Sequence, residues 1–239
     1  MIKKLLIPAL LGAVIVCIIS CNPQLSNGLR AGDLKKDVEI VTSKGTILLR
    51  LSDSTPLHRD NFLRLSKAGF YDSLLFHRVI RSFMIQTGDP DSREGHPGKP
   101  LSQGGSGGPG YWIPAEFRTS LFHKKGALAA ARTGDDVNPT RASSGSQFYI
   151  VQGKVFTDAG LDSLEMGRLK GRKIPAEYRA AYKTFGGAPH LDQNYTVFGE
   201  VIKGMEVVDS IAASSTSGPP LDRPVKEIRI LKVKLVRRR

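Results

Sequence analysis

The chain is poor in cysteine, with two in 239 residues. Two thiols cannot build a disulfide framework or fill a four-thiolate zinc site. Histidine is also sparse. The five that occur, His58, His77, His96, His123 and His190, never stand two or four residues apart, so the local pairings of common metal sites are missing. Acidic side chains number 22 against 35 basic ones, a formal net charge of +13. The basic residues are scattered apart from Arg237 to Arg239, and no basic helix carries interleaved aromatics, which speaks against a nucleic-acid partner. With 40% hydrophobic and 24% charged residues, neither global disorder nor a multispanning membrane protein is expected. The length suits one domain with additions.

What is present begins at the N-terminus. Lys3 and Lys4 precede an uncharged run from Leu5 to Ile19. That run is short for a helix crossing about 30 Å of hydrocarbon, but it suits the apolar region of a signal peptide. It ends in Ile18-Ile19-Ser20-Cys21, which resembles a bacterial lipobox. Cys17 is the poorer candidate, because the bulky Val16 precedes it. The resemblance implies that residues 1–20 are a lipoprotein signal peptide. Cys21 then carries the lipid that holds the protein on a membrane of the bacterial cell envelope, facing the periplasm. Cleavage removes Lys3 and Lys4 and leaves +11, a charge suited to anionic headgroups. Residues 21–36 read as a lipidated tether, whose Asn, Pro, Ser and Gly content predicts flexibility over a reach of roughly 20 Å.

The remainder is rich in strand signals. Val38–Thr42 and Thr46–Leu51 flank Ser43-Lys44-Gly45 as a hairpin. Pro56–Ala68 predicts a helix with Leu57, Asn61, Leu65 and Ala68 inward and Phe62 beside them. Short strands are expected over Leu74–Ile80, Met84–Thr87, Gly126–Ala131, Gln147–Gln152 and Thr196–Val201. A second helix, Gly204–Ala213, places Met205, Val208 and Ile211 on one face. The last strand, Val225–Val236, switches its inward phase between Ile230 and Val233, which predicts a bulge. Many short strands with two core helices argue for a closed antiparallel barrel. Lys154–Gly187 is charged and partly helical after Pro175, and reads as an insertion.

Two glycine patterns fail on context. Gly105-Ser106-Gly107-Gly108-Pro109-Gly110 matches a dinucleotide fingerprint, but no helix start follows it. Gly104 to Gly108 matches a nucleophile elbow without the flanking strand and helix.

A third set of motifs is more specific. Phe76-His77-Arg78-Val79-Ile80, continuing through Phe83-Met84-Ile85-Gln86-Thr87-Gly88-Asp89, resembles the signature of cyclophilins. Ser144-Gly145-Ser146-Gln147-Phe148-Tyr149-Ile150 matches a second block. His190-Leu191-Asp192 with Tyr195-Thr196-Val197-Phe198-Gly199 matches a third. The blocks fall in family order across a domain of residues 37–236 that includes the insertion 154–187. The resemblance implies a mainly β protein: an eight-stranded closed antiparallel barrel capped by two helices. It also implies peptidyl-prolyl cis/trans isomerase activity on X–Pro bonds of exported proteins, or else a peptide-binding or chaperone module in which catalysis is secondary.

The chemistry agrees with these residue types. Rotation about X–Pro faces a barrier of about 18–20 kcal/mol from amide resonance. No bond breaks, so no metal and no cofactor are expected. Catalysis must favour the twisted amide over both planar forms, and a fixed guanidinium can donate to the prolyl nitrogen as it regains its lone pair. By resemblance that residue is Arg78, with Gln86 binding the substrate backbone and orienting Arg78. Phe83, Met84, Tyr149 and Leu191 line the proline pocket, with the Tyr149 hydroxyl at its rim. Gln147 supports the groove, and the backbone of Ala131 and Arg132 pairs with the peptide. His190 and Tyr195 stand where many eukaryotic members have Trp and His, so cyclosporin should be weakened more than activity. Arg132 is expected to make the groove edge more basic.

Overall fold

The computed structural model describes residues 28–93 and 108–238. The signal peptide, Cys21, tether residues 22–27 and most of the glycine loop lie outside them. Ten strands occur in chain order: β1 (Lys36–Thr42), β2 (Gly45–Leu51), β3 (Arg78–Ile80), β4 (Met84–Thr87), β5 (Trp112–Ile113), β6 (Ala127–Ala130), β7 (Ser143–Ser144), β8 (Phe148–Val151), β9 (Val197–Lys203) and β10 (Ile230–Arg237). Eight form one antiparallel sheet in the order β10-β1-β2-β9-β6-β8-β4-β3, while β5 and β7 pair apart. The β1–β2 hairpin turns at Gly45, whose φ is 135° and where a Cβ would stand 2.7 Å from Val207.

The sheet curls but is not closed by a hydrogen-bonded ladder, which corrects the expected closed barrel. Its end strands β3 and β10 do not pair. The seam is crossed by irregular segments that meet the strand ends, through Ser73 N to Ile230 O (2.8 Å), Ile230 N to Leu74 O (2.8 Å), Phe76 N to Ile228 O (2.9 Å) and Val79 N to Asp222 O (2.8 Å). Residues 74–77 and 225–229, expected in strands, therefore lie outside them. The predicted bulge is present: Val41 faces Lys232 and Thr42 faces Ile230, so Leu231 is the extra residue, and it points outward.

The described residues hold four α-helices: the two expected core helices, α1 (Pro56–Lys67) and α4 (Met205–Ala212), and two in the insertion, α2 (Asp158–Met166), which the sequence did not suggest, and α3 (Ala176–Thr184), where helix was expected after Pro175. The inward stripe of α1 is His58, Phe62 and Leu65, whereas Leu57 is exposed. Phe62 meets Phe148 edge-on with centroids 5.0 Å apart. Val208 and Ile211 of α4 are fully buried. The interior of the curl is filled by Ile40, Leu49, Phe76, Ile85, Phe148 and Phe198.

Within the insertion, α2 and α3 share an apolar cluster of Leu161, Leu169, Ile174, Tyr178 and Tyr182. Phe122, from outside the insertion, stacks on Tyr178 at 4.0 Å. Glu165, buried between the helices, accepts from Lys173 Nζ (2.8 Å), Ile174 N (2.9 Å) and Arg179 Nη1 (3.0 Å). These partners, Lys173 foremost, hold its carboxyl down to about 2.

The second half of the expected tether is packed rather than loose. Ala31–Lys35 forms a 3-10 helix, and Leu29 is fully buried. Asp33 accepts from Lys67 (2.8 Å) and Lys36 (2.9 Å). Burial raises its pKa, but hydrogen bonds led by that from Lys67 hold it well below the usual carboxylate range.

Helix α1 begins without a side-chain cap from Thr55. Its orphan N–H groups are met instead by Glu116, which accepts from Leu57 N (3.2 Å) and His58 N (2.9 Å) and meets His58 Nδ1 at 2.7 Å. Against the upward push of burial, these bonds lower the Glu116 pKa. A carboxylate here also complements the helix dipole. Glu116→Ala should therefore lower unfolding free energy in urea by about 2 kcal/mol, as for a buried charged acceptor. A loss below about 0.5 kcal/mol, the scale of ordinary surface substitutions, would show that water caps the helix equally well.

Candidate active site

The site is assembled by strand register. Arg78 on β3 lies opposite Gln86 on β4, Gln86 opposite Tyr149 on β8, and Tyr149 opposite Ala129 on β6. Residues two apart on a strand share a face, so Met84 joins Gln86, while Ile85 and Ile150 point into the curl. A second apolar cluster grows on the outer face from Met84, Ala129, Tyr149, Leu191 and Val197, with Phe83 and Tyr195 against it.

Over this cluster lies a groove of about 880 Å³. Ten predicted residues line it: Arg78, Gln86, Phe83, Met84, Ala131, Arg132, Gln147, Tyr149, Leu191 and Tyr195. His190 does not. It packs against Phe83, ring centroids 5.4 Å apart, beside the groove rather than in it.

Several expected details change. Gln86 donates to Gln147 Oε1 (3.1 Å), and the charged group near Arg78 is Asp222, with Oδ2 3.7 Å from Nε. Ala131 spends both main-chain groups internally, on Gln147 O (3.0 Å) and Ser144 N (2.8 Å). Both Ala131 groups are thus taken within the protein, while Arg132 also lines the groove. The Arg132 guanidinium lies 4.5 Å over the Tyr195 ring, donates to Asn194 O (2.7 Å) and pairs with Asp135 (2.6 Å). Its charge is thus matched, and the groove edge is less basic than its sequence suggests. The Tyr149 hydroxyl is not at the rim but turned inward to His123 Nε2 (3.0 Å). Burial pushes its pKa well above 10.

One groove wall has no sequence signature. Pro220, Leu221 and Arg223 line the groove, as do Thr133, Gly134, Asp136 and Val137. Asp222 in the same loop joins β3 through its carbonyl. Nothing local in the sequence marks this loop as part of a site, since its place depends on the long return from α4 to β10.

Among the described residues, no group of three His, Cys, Asp or Glu could hold a metal ion. What the groove offers is the Arg78 guanidinium with 40% of its side chain exposed, Arg132 and Arg223 along its walls, amides at Gln86 and Gln147, and an apolar recess beneath them. These suit an extended chain bearing a compact apolar ring.

Burial, reinforced by the Arg78 charge, pushes the His77 imidazole down to about 4. Burial and the Arg168 charge bring His190 to about 4 as well. Both folded-state values lie below the ordinary 6.5. Their contribution to stability is therefore fully present above pH 6.5 and is lost as pH falls toward 4. Imidazole NMR should show both rings neutral until about pH 4. A midpoint near 6.5 for either would mean that water solvates it.

Comparison with known proteins gives a consistent result. The family profile "Cyclophilin type peptidyl-prolyl cis-trans isomerase/CLD" matches residues 37–235. A Staphylococcus aureus protein, described by inference as a peptidyl-prolyl cis-trans isomerase, is 35% identical over 207 residues, covering 86% of this chain and 93% of its own length. A Staphylococcus saprophyticus protein of the same description is 34% identical over 215 residues, covering 90% and 98%. A crystal structure of a Cryptosporidium parvum cyclophilin-type isomerase aligns with a TM-score of 0.58 at 25% identity, covering 84% of this chain and 96% of that one. The same protein has been solved in the presence of the dipeptide Ala-Pro. With the profile spanning all ten strands but for the outermost residues of β1 and β10, the chain belongs to the cyclophilin family of peptidyl-prolyl cis-trans isomerases.

Proposed function

We propose that isomerisation takes place over the row Arg78–Gln86–Tyr149 and that the clients are exported proteins met at the cell envelope. The observation that carries the site assignment is the register itself, which sets a cation, an amide and an apolar floor side by side on three neighbouring strands. The proline ring occupies the recess formed by Phe83, Met84, Tyr149 and Leu191. The chain on either side lies along Arg132 and Gln86. Arg78 then faces the prolyl nitrogen. As the amide twists, that nitrogen gains a lone pair, and the guanidinium, permanently protonated, donates to it. Because the donor is already in place, little reorganisation accompanies the reaction. Asp222, at 3.7 Å from Nε, restrains the guanidinium without fully engaging it.

The envelope assignment rests on Lys3-Lys4, the run Leu5–Ile19 and Cys21. Prolyl steps take tens to hundreds of seconds, so an isomerase has clients wherever exported chains fold. That the Cryptosporidium relative was crystallised in the presence of the dipeptide Ala-Pro supports proline-containing segments as ligands here. A role as a peptide holder, with catalysis secondary, is tested by the same variant.

In the full chain, Arg78→Ala should lower kcat/KM for a proline peptide by roughly 100-fold, the scale of losing one transition-state donor. Wild-type exchange in the variant would overturn the role of Arg78. In a bacterial host fed labelled fatty acid, the protein should carry label that Cys21→Ala abolishes. An unlabelled wild-type protein in the soluble fraction would overturn the lipid anchor.

A further inference from the structure

A chain of buried polar contacts runs from the groove into the insertion. The Tyr149 hydroxyl meets His123 Nε2 at 3.0 Å. His123 Nδ1 lies 2.9 Å from Asp192 Oδ1, which also accepts from the His123 backbone N at 2.8 Å. Tyr182 of α3 donates its hydroxyl to Asp192 Oδ2 at 2.6 Å. Arg172, in the loop before α3, donates to the Asp192 carbonyl at 2.7 Å. Exposure is 0% for His123 and Tyr182, 4% for Tyr149 and 5% for Asp192.

The donor order follows from the chemistry of the groups. A carboxylate only accepts, so His123 Nδ1 carries the hydrogen given to Asp192. In the neutral ring Nε2 is then an acceptor, and the Tyr149 hydroxyl donates to it. Tyr182 donates to the other carboxylate oxygen. Both tyrosine hydrogens therefore point toward the His123–Asp192 pair, and the groove meets the Tyr149 ring but not its hydroxyl.

The insertion is pressed against this pair at its C-terminal end, Gly187. A Cβ at Gly187 would collide with the His123 carbonyl and stand 2.5 Å from the Tyr182 ring. The next residue, Ala188, donates its N–H to that carbonyl at 2.8 Å. Asp192 follows Leu191, which lines the groove.

We propose that Tyr182 is a positioning residue of the proline pocket, and that the insertion 154–187 serves the active site by holding Asp192, and through it His123 and the Tyr149 hydroxyl. The insertion supplies two of the groups that fix Asp192, one on its side chain and one on its backbone. Without the Tyr182 hydroxyl, a buried carboxylate oxygen lacks that donor, and Asp192 must turn or draw in water. His123 then loses its fixed orientation. The Tyr149 hydroxyl, left unpaired, turns toward the groove and brings a polar group into the recess for the proline ring. The inference rests on the site assignment made above.

A double-mutant cycle in the full chain tests it. Tyr182→Phe should raise KM for a proline peptide by about three- to tenfold, the range of a partly transmitted buried hydrogen bond. Its kcat should change little, because Arg78 is untouched. Tyr149→Phe removes the hydroxyl that needs a partner, so adding Tyr182→Phe in that background should raise KM no further. An equal rise in both backgrounds, or no rise in either, would overturn the relay. Should Tyr182→Phe fail to fold, the exposed Arg172 offers Arg172→Met, with a smaller rise in KM and the same loss of effect beside Tyr149→Phe. An Arg78→Ala control separates the two levels. If it keeps wild-type exchange, the site assignment falls; if it is inactive while the cycle is additive, only the relay falls.

Discussion

The row Arg78–Gln86–Tyr149, on which the proposed site rests, depends on the antiparallel register of β3, β4 and β8. Shifting β4 by one residue against its neighbours would send Gln86 and Met84 into the curl and bring Ile85 out, since strand faces alternate. Arg78, Gln86 and Tyr149 would no longer share a row. The register is held from inside by Ile85, Phe148 and Ile150, all buried in the main core. Burial on the inner face thus sets the placement of polar groups on the outer one. Removing volume from that core should be felt at the groove as well as in stability.

The groove also shows how charge is arranged around an apolar recess. Arg132 lies along Tyr195 and is matched by Asp135, while among the described residues the acidic partner of Arg78 is the more distant Asp222. The Arg132 guanidinium is spent on structure, and that of Arg78 is held less tightly. Tyr149 follows the same logic with a neutral group. Its hydroxyl would be costly in an apolar pocket, and bonding it to His123 leaves only an aromatic face at the surface.

Much of this was legible in the sequence, and the reasons differ by element. The Phe-His-Arg and Gly-Ser-Gln-Phe blocks carry so many side chains of the groove that a contiguous reading finds them. The β1–β2 hairpin is visible because alternation and Gly45 agree, and the bulge because Ile230 and Val233 are out of phase. Helix α2 escapes because its apolar positions are few and Gly160 weakens the pattern. In the structure it is secured by Thr157 at its N-cap and by burial of Leu161. His123 looks isolated, since its partners lie 69 and 26 residues away. Asp222 and the 220–223 wall escape for the same reason. Leu57 illustrates the opposite error: its spacing suits the inward stripe, but Glu116 caps the helix there and leaves the side chain outside.

The gap in the sheet has a mechanical meaning. Arg78 sits on β3, an end strand supported by a ladder on one side only. On its other side it is tied to the loop around Asp222 by a single backbone hydrogen bond from Val79. Displacing that loop would break no strand pair, so the β4–β8 pairing that carries Gln86 and Tyr149 does not depend on the loop wall of the groove.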